Sequence, residues 1–77
     1  MTILNKRGTG IRLLSERTKR GMSQAEAARA IGVSSQSISN WERGKLPSVI
    51  NLLALADLYD MDLDEIVMYE RRGHYDE

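Results

Sequence analysis

The sequence contains no cysteine, and this absence excludes several kinds of site. The 77-residue chain can form no disulfide, no thiolate nucleophile and no cysteine-based metal site. We therefore expect a reducing, cytoplasmic compartment, and the N-terminus also lacks the apolar segment of a secretory signal. The longest unbroken apolar run, Leu52 to Ala56, has five residues, whereas a membrane-spanning helix needs about 20. No membrane span is expected.

Catalytic side chains are equally scarce. The single histidine, His74, lies in a polar segment close to the C-terminus. Histidine can act as a general base or a metal ligand, but an isolated one in such a segment is typical of a solvated surface residue. Neither a glycine-rich phosphate loop nor an HExxH pattern is present. We predict a small single domain that is not an enzyme and that binds no metal and no cofactor.

The net charge of zero hides a division of charge along the chain. Residues 1–47 carry nine bases against three acids, a net charge of +6, and residues 48–77 carry two bases against eight acids, a net charge of −6. Such asymmetry predicts a molecule with one basic end that faces a polyanion. The charge alone leaves open a second interpretation, in which these residues only solvate the outer faces of helices.

Signals for helix ends divide the chain into five short helices. Ser23 and Asp62 each have a glutamate three residues later, Glu26 and Glu65, which is the spacing of a capping box. Gly32 fits the left-handed position that ends a helix. The predicted helices cover about residues 9–20, 24–31 and 35–43, a fourth stretch that follows Ser48, and about residues 63–71.

Residue spacing predicts one face of each of three helices. Ile11, Leu14 and Thr18 have the i, i+3, i+7 spacing of the first helix, the apolar face of the fourth is Val49, Leu52, Leu53 and Ala56, and the fifth buries Leu63, Ile66 and Val67. Short connections between them predict a compact all-α domain over residues 9–71. Residues 1–8 are expected to form a loose arm, and residues 72–77 a polar tail.

The segment from Gln24 to Arg43 carries the clearest motif. Ala28 lies four residues before Gly32, and Ile38 lies six residues after it. A small residue where two helices touch, a glycine in the turn and an apolar residue bracing the second helix are typical of a DNA-binding helix-turn-helix.

The sequence resembles the Cro and phage-repressor (XRE-like) family from Ile11 to about Val67. Four stretches carry the resemblance: Met22 to Glu26, Ile31 to Ser34, Ser37 to Gly44, and Pro47-Ser48 leading to Leu63 to Glu65. Ala27 stands where the family more often has leucine, and Asp60 where it usually has glycine. The resemblance implies a five-helix, lambda-repressor-like fold and a bacterial or phage-encoded protein of the nucleoid.

The resemblance also implies roles for individual residues. The third helix would read base edges through Ser35, Gln36, Ser39 and Asn40. The alternative is that these are ordinary polar surface residues, but a face with Gln, Asn and Ser and no carboxylate favours reading. The residues expected to contact phosphates are Gln24, Ser37, Arg43 and Lys45, and less surely Lys19 and Arg20. Arg17 and Glu42 match a structural ion pair, and Trp41 matches a core position rather than a base-stacking one. The amides of Gln36 and Asn40, four residues apart, suit contact with adenine.

Two functions remain open at this stage. The first is a sequence-specific transcriptional regulator, most simply a repressor, that binds a palindromic operator in double-stranded DNA as a homodimer. The second is an antitoxin or adaptor whose main partner is a protein, bound through the acidic half and the tail from Tyr69 onward. The basic first half and the intact third helix favour the regulator.

Overall fold

The computed structural model describes residues 2–71, in which one short strand precedes five α-helices and a second short strand follows them. The elements are β1 (Thr2–Leu4), α1 (Lys6–Lys19), α2 (Gln24–Ile31), α3 (Ser35–Glu42), α4 (Val49–Leu58), α5 (Leu63–Ile66) and β2 (Tyr69–Arg71). The predicted tail over residues 72–77, with His74, lies outside the described residues, as does Met1. No helix within residues 2–71 is long and apolar enough to cross a membrane.

Local capping interactions set the ends of α2, as the sequence predicts. The Ser23 hydroxyl accepts a hydrogen bond from the Glu26 amide at 3.0 Å, and the Glu26 carboxylate accepts one from the Ser23 amide at 2.8 Å. The bond from the Ser23 amide is the main reason why the pKa of Glu26 lies below its usual value. Gly32 ends the helix with a φ of 76°. The turn between α2 and α3 is therefore defined by nearby residues alone.

The two ends of the chain depart from the prediction. Residues 2–4 are not a loose arm, because β1 pairs antiparallel with β2, with Ile3 opposite Glu70. Asn5 caps α1 by accepting a hydrogen bond from the Gly8 amide at 2.8 Å, so α1 begins three residues earlier than expected. The predicted helix over residues 63–71 is also wrong beyond Ile66.

Contacts with α1 explain why α5 stops early. The Met68 amide donates to the Thr9 hydroxyl at 2.9 Å, and the Met68 carbonyl accepts from the Asn5 amide at 2.7 Å. Arg12 donates to the carbonyl of Glu65 at 2.7 Å. These backbone groups have partners on α1 and its cap, so the chain extends into β2 instead of continuing the helix.

The core lies between α1, α2, α3, α4 and α5. Its buried apolar residues are Leu13, Ala27, Ala28, Ile38, Leu52, Leu55, Ala56, Tyr59 and Ile66. Trp41 is partly buried against this cluster, as are Leu63 and Val67. Of the four residues on the predicted apolar face of the fourth helix, Leu52 and Ala56 are buried, whereas Val49 and Leu53 are exposed.

The spacing of Ile11, Leu14 and Thr18 marks a helix, but not the buried face of α1. Ile11 is 57% exposed and Leu14 is also exposed, whereas Leu13 is only 2% exposed. Glu16 and Arg17 are buried on α1. Charged side chains enter an interior only where they are paired and hydrogen-bonded, which hydropathy does not take into account. The partners of these two residues are therefore the reason why α1 faces the core as it does.

Gly10 allows α1 to approach the end of α3 very closely. A Cβ atom built at Gly10 would lie 2.6 Å from the carbonyl oxygen of Trp41 and 2.8 Å from that of Glu42. Carbon and oxygen atoms do not approach this closely without a bond between them. Since both oxygens belong to backbone, no side-chain rotation can relieve the contact. This position therefore requires glycine for space.

We expect Gly10→Ala to lower the free energy of unfolding. Overpacking costs about 1–3 kcal/mol, which exceeds the gain of up to about 1 kcal/mol that alanine brings to a helix. Urea unfolding followed by circular dichroism measures the difference. Ser15→Ala, an exposed change on the same helix, is the control and should stay within about 0.5 kcal/mol of the parent. An unchanged or raised midpoint for Gly10→Ala would contradict the close packing.

Candidate nucleic-acid interface

A buried ion pair joins α1 to the end of α3. Arg17 donates through Nε to Glu42 Oε2 at 2.7 Å and through Nη2 to Glu42 Oε1 at 3.0 Å. The two side chains are 10% and 4% exposed. Such a two-point contact fixes both the distance and the relative orientation of the guanidinium and the carboxylate.

Two further hydrogen bonds complete this network. The third guanidinium nitrogen of Arg17, Nη1, donates to the carbonyl of Met22 at 2.7 Å, just before α2. Gln24, the first residue of α2, donates to Glu42 Oε1 at 3.0 Å. The carboxylate of Glu42 is the main reason why the pKa of Arg17 is raised, so the guanidinium stays charged. The network therefore holds the beginning of α2 and the end of α3 against α1.

The outer face of α3 is the surface that this network orients. Ser34 caps the helix by accepting a hydrogen bond from the Ser37 amide at 3.1 Å. Ile38 is buried and Trp41 packs partly against the core. Ser35 and Gln36 are exposed, and the other two predicted base-reading residues, Ser39 and Asn40, are half-buried. The inner and outer faces of α3 therefore have distinct chemistry, apolar on one and uncharged polar on the other.

Two predicted base-reading side chains are hydrogen-bonded to each other. Gln36 donates through Nε2 to Asn40 Oδ1 at 3.0 Å. The bond uses the donor group of one amide and the acceptor group of the other. It leaves an acceptor, the Gln36 carbonyl oxygen, and a donor, the Asn40 amino group, for other partners.

The predicted phosphate-contacting residues fall into three groups, of which two lie at the ends of α3 and at the start of α2. Arg43 caps the C-terminal end of α3, and both Arg43 and Lys45 are exposed beside it. Ser37 and Gln24 lie in the first turns of α3 and α2. The hydroxyl of Ser37 is 3.0 Å from that of Ser34, and Gln24 is bound to Glu42.

Lys19 and Arg20 form a separate group with Glu16 at the end of α1. Their nitrogens lie 3.2 Å and 2.8 Å from its carboxylate oxygens. The hydrogen bond from Arg20, followed by that from Lys19, lowers the pKa of Glu16. Arg20 also donates to the carbonyl of Tyr59 and lies 5.2 Å above its ring. The structure does not bring these two bases together with α3.

Sequence reasoning left Lys6 and Arg7 out of the site, because it assigned them to a loose arm. They form the first turn of α1, and together with Arg43 and Gly44 they line a surface groove. The absence of any acidic residue from that first turn was the available signal. Within the described part of the chain, no group of His, Asp or Glu side chains is arranged to hold a metal ion.

Comparisons with known proteins were made for sequence and for structure. A family model described as helix-turn-helix matches residues 13–66. By contrast, no curated protein matches the sequence.

Solved structures of two regulators are similar over most of the chain. The restriction-modification controller protein C.AhdI from Aeromonas hydrophila is 32% identical, with 79% of this chain and 94% of that one covered and a TM-score of 0.75. The P22 c2 repressor, in complex with a synthetic operator, is 36% identical, with coverages of 75% and 89% and a TM-score of 0.73.

A third similar structure belongs to a larger protein. HppE, solved with cobalt(II) and substrate, has a TM-score of 0.76 over 83% of this chain. The match covers only 36% of HppE, at 18% identity. A likeness at this identity concerns the fold alone.

We expect Glu42→Ala to lower the free energy of unfolding by about 3–5 kcal/mol, because it leaves the buried guanidinium of Arg17 without its carboxylate. That loss is a large part of the 5–15 kcal/mol that typically stabilises a domain. Chemical unfolding of the variant measures it.

A double variant separates charge burial from lost packing. Arg17→Met with Glu42→Leu removes both charges and keeps apolar volume, so it should recover part of the stability that Glu42→Ala loses. A loss below about 1 kcal/mol for Glu42→Ala alone, which is typical of an exposed pair, would contradict the buried network.

Proposed function

We propose, on the premise that the chain belongs to the helix-turn-helix family of the Cro and phage-repressor type, that it represses transcription by binding a palindromic operator as a homodimer. The membership confirms the predicted resemblance and five-helix fold class, and it makes the chain a DNA-binding regulator. The finer proposal depends above all on the outer face of α3, where Gln36 and Asn40 are hydrogen-bonded at 3.0 Å. Binding, not catalysis, is the proposed activity.

The proposed reading element is α3, placed in the major groove. Each base pair presents a distinct pattern of donors and acceptors there. The bonded amides leave the acceptor of Gln36 and the donor of Asn40, which complement the N6 donor and N7 acceptor of adenine. We propose that the two side chains read one A·T pair as a unit, with Ser35 and Ser39 contacting neighbouring base edges.

The proposed backbone contacts flank α3. Arg43 and Lys45 are exposed cations at its C-terminal end, and such contacts position a protein without reading sequence. Gln24 lies at the N-terminal end of α2, where backbone amides and the helix dipole favour a phosphate, and Ser37 is a further candidate. The pairing of Lys19 and Arg20 with Glu16 makes these two the weakest members of the proposed set.

The proposed homodimer follows from the small size of the reading surface. One recognition helix reads too few base pairs to specify a site, so related proteins bind paired half-sites about 34 Å apart. Val49, Ile50 and Leu53 are exposed on the first turns of α4, directly after the loop at Pro47. A second copy related by a two-fold axis would cover these apolar side chains, whose exposure in a monomer is unfavourable.

One observation favours the alternative, a module that binds a protein. The segment from the end of α4 through α5 carries five exposed acids, namely Asp57, Asp60, Asp62, Asp64 and Glu65. Such a surface would repel DNA and suit a basic partner. The two functions differ in their ligand: the regulator should bind duplex DNA, with an affinity that falls steeply as counterions return to the phosphates, whereas a module that binds only a protein should show no such binding to duplex.

We expect Gln36→Ala and Arg43→Ala to affect binding differently. Gln36→Ala should cost about 1–3 kcal/mol on the preferred site, selected from a random duplex pool, and almost nothing on scrambled duplex. Arg43→Ala should weaken binding to both duplexes alike and lower the salt slope by about one. Salt titrations of each variant on both duplexes make the comparison.

Asn40→Ala and the Gln36→Ala/Asn40→Ala double variant test whether the amides act as a unit. If they do, the double variant should lose little more than either single one. Equal losses for Gln36→Ala on selected and scrambled duplex would mean that α3 does not read bases. Failure to select any sequence would contradict the regulator and leave the protein-binding module.

We expect footprinting on the selected site to protect two inverted half-sites with centres about 34 Å apart. Ile50→Glu should weaken paired binding, because it puts a charge into the proposed subunit contact. The side chain is 79% exposed, so folding should be unaffected. Leu14→Glu, at an exposed apolar position of α1, is the control. A single unrepeated half-site would contradict the dimer.

A further inference from the structure

We infer that Lys6 and Arg7 bind the DNA backbone in a groove that they form with Arg43 and Gly44. The inference rests on the proposed function and extends it to a phosphate-binding site outside the helix-turn-helix segment. The ligand is the sugar-phosphate strand that passes the C-terminal end of α3.

The groove is built where α1 begins and α3 ends. It has a volume of about 590 Å³ and is lined by Lys6, Arg7, Ile11, Glu42, Arg43 and Gly44. The two backbones are close, since a Cβ atom at Gly44 would lie 3.7 Å from Arg7 Cα. Cations that are 36 residues apart in sequence, Arg7 and Arg43, therefore share one surface with Lys6.

The groove is cationic because its bases are not neutralised within the described chain. The ion pairs found among residues 2–71 join other side chains, and none of them includes Lys6, Arg7 or Arg43. Glu42 is the one acid in the lining, but its carboxylate is already bound by Arg17 and Gln24. Lys6, Arg7 and Arg43 are therefore exposed cations that belong to no ion pair among residues 2–71, and Lys6 also borders a neighbouring depression lined by Glu70.

The position of Lys6 and Arg7 opposes the stability of α1. The N-terminal end of a helix carries a partial positive charge, so acidic residues are favoured there and cations are disfavoured. The first turn of α1 contains these two bases and no acid. A bound phosphate would reverse the unfavourable interaction, because it is attracted by both the side chains and the helix end.

Apolar surface within the groove favours a nucleic-acid strand over a free anion. Ile11 is 57% exposed and lies among the cations. A sugar-phosphate strand alternates charged phosphates with deoxyribose rings, whose carbon atoms can pack against an isoleucine. Lys45 is exposed two residues after Arg43, and both are already proposed to contact the same strand.

Salt titrations of Lys6→Ala/Arg7→Ala test the inference. The slope of log K against log salt changes by about 0.9 for each phosphate contact. We expect the double variant to lower the slope by nearly two, equally on the selected operator and on scrambled duplex. Arg29→Ala, which removes an exposed cation of α2 outside the groove, should leave the slope unchanged. Melting temperatures should be unchanged or higher, since two unfavourable charges are removed.

Neutral backbone linkages locate the contact. Methylphosphonates placed one at a time in the selected operator should reveal positions that weaken the parent protein but not Lys6→Ala/Arg7→Ala. The double variant could keep the parental salt slope while Arg43→Ala shows the expected loss. That result would overturn the groove as a binding site and leave the proposed function standing. An equally large decrease in the salt slope for Arg29→Ala would mean that the effect reflects net charge and not the groove, and it would also overturn the inference. Absence of DNA binding by the parent protein would overturn the proposed function itself.

Discussion

The position of α3 depends on the guanidinium of Arg17. Its three nitrogens bind both oxygens of Glu42 and the carbonyl of Met22, and Gln24 supplies a further donor to the same carboxylate. Burying two charges without these partners would be unfavourable, so the network is stable only when α1, α2 and α3 are all in place. The outer face of α3 is presented in one orientation because its inner end is held at several points.

Internal ion pairing also determines which basic side chains are available to contact DNA. Lys19 and Arg20 share the carboxylate of Glu16, and Arg20 is further engaged with Tyr59. Ion pairs of this kind contribute little to stability, but they neutralise cations locally. Arg43 and the bases of the first turn of α1 have no such partner within residues 2–71. At one end of α1 the carboxylate of Glu16 therefore offsets part of the positive charge of Lys19 and Arg20, whereas the cations at the other end belong to no ion pair among residues 2–71.

The parts of the fold that sequence predicts well are those fixed by neighbouring residues. The capping box of Ser23 and the left-handed Gly32 determine the turn before α3, and each is visible within a few positions. The pairing of β1 with β2 joins residues 2–4 to residues 69–71, and no local pattern reports such a distant partner. The buried face of α1 does not follow from apolar spacing, because Glu16 and Arg17 acquire their partners only in the folded chain. Within the proposed site, sequence predicts the helix, but not the bond between Gln36 and Asn40, which depends on side-chain conformations.

The close approach at Gly10 connects packing with the charged surface. Because glycine lets α1 touch the carbonyls of Trp41 and Glu42, the preceding turn of α1 comes to lie beside Gly44, where α3 ends. A larger residue at position 10 would move the two helices apart and carry Arg7 away from Arg43. The residue that completes the core contact therefore also brings the cations of two helices onto one surface. Both the stability of the fold and the proposed DNA contact therefore depend on the close approach of α1 to the end of α3.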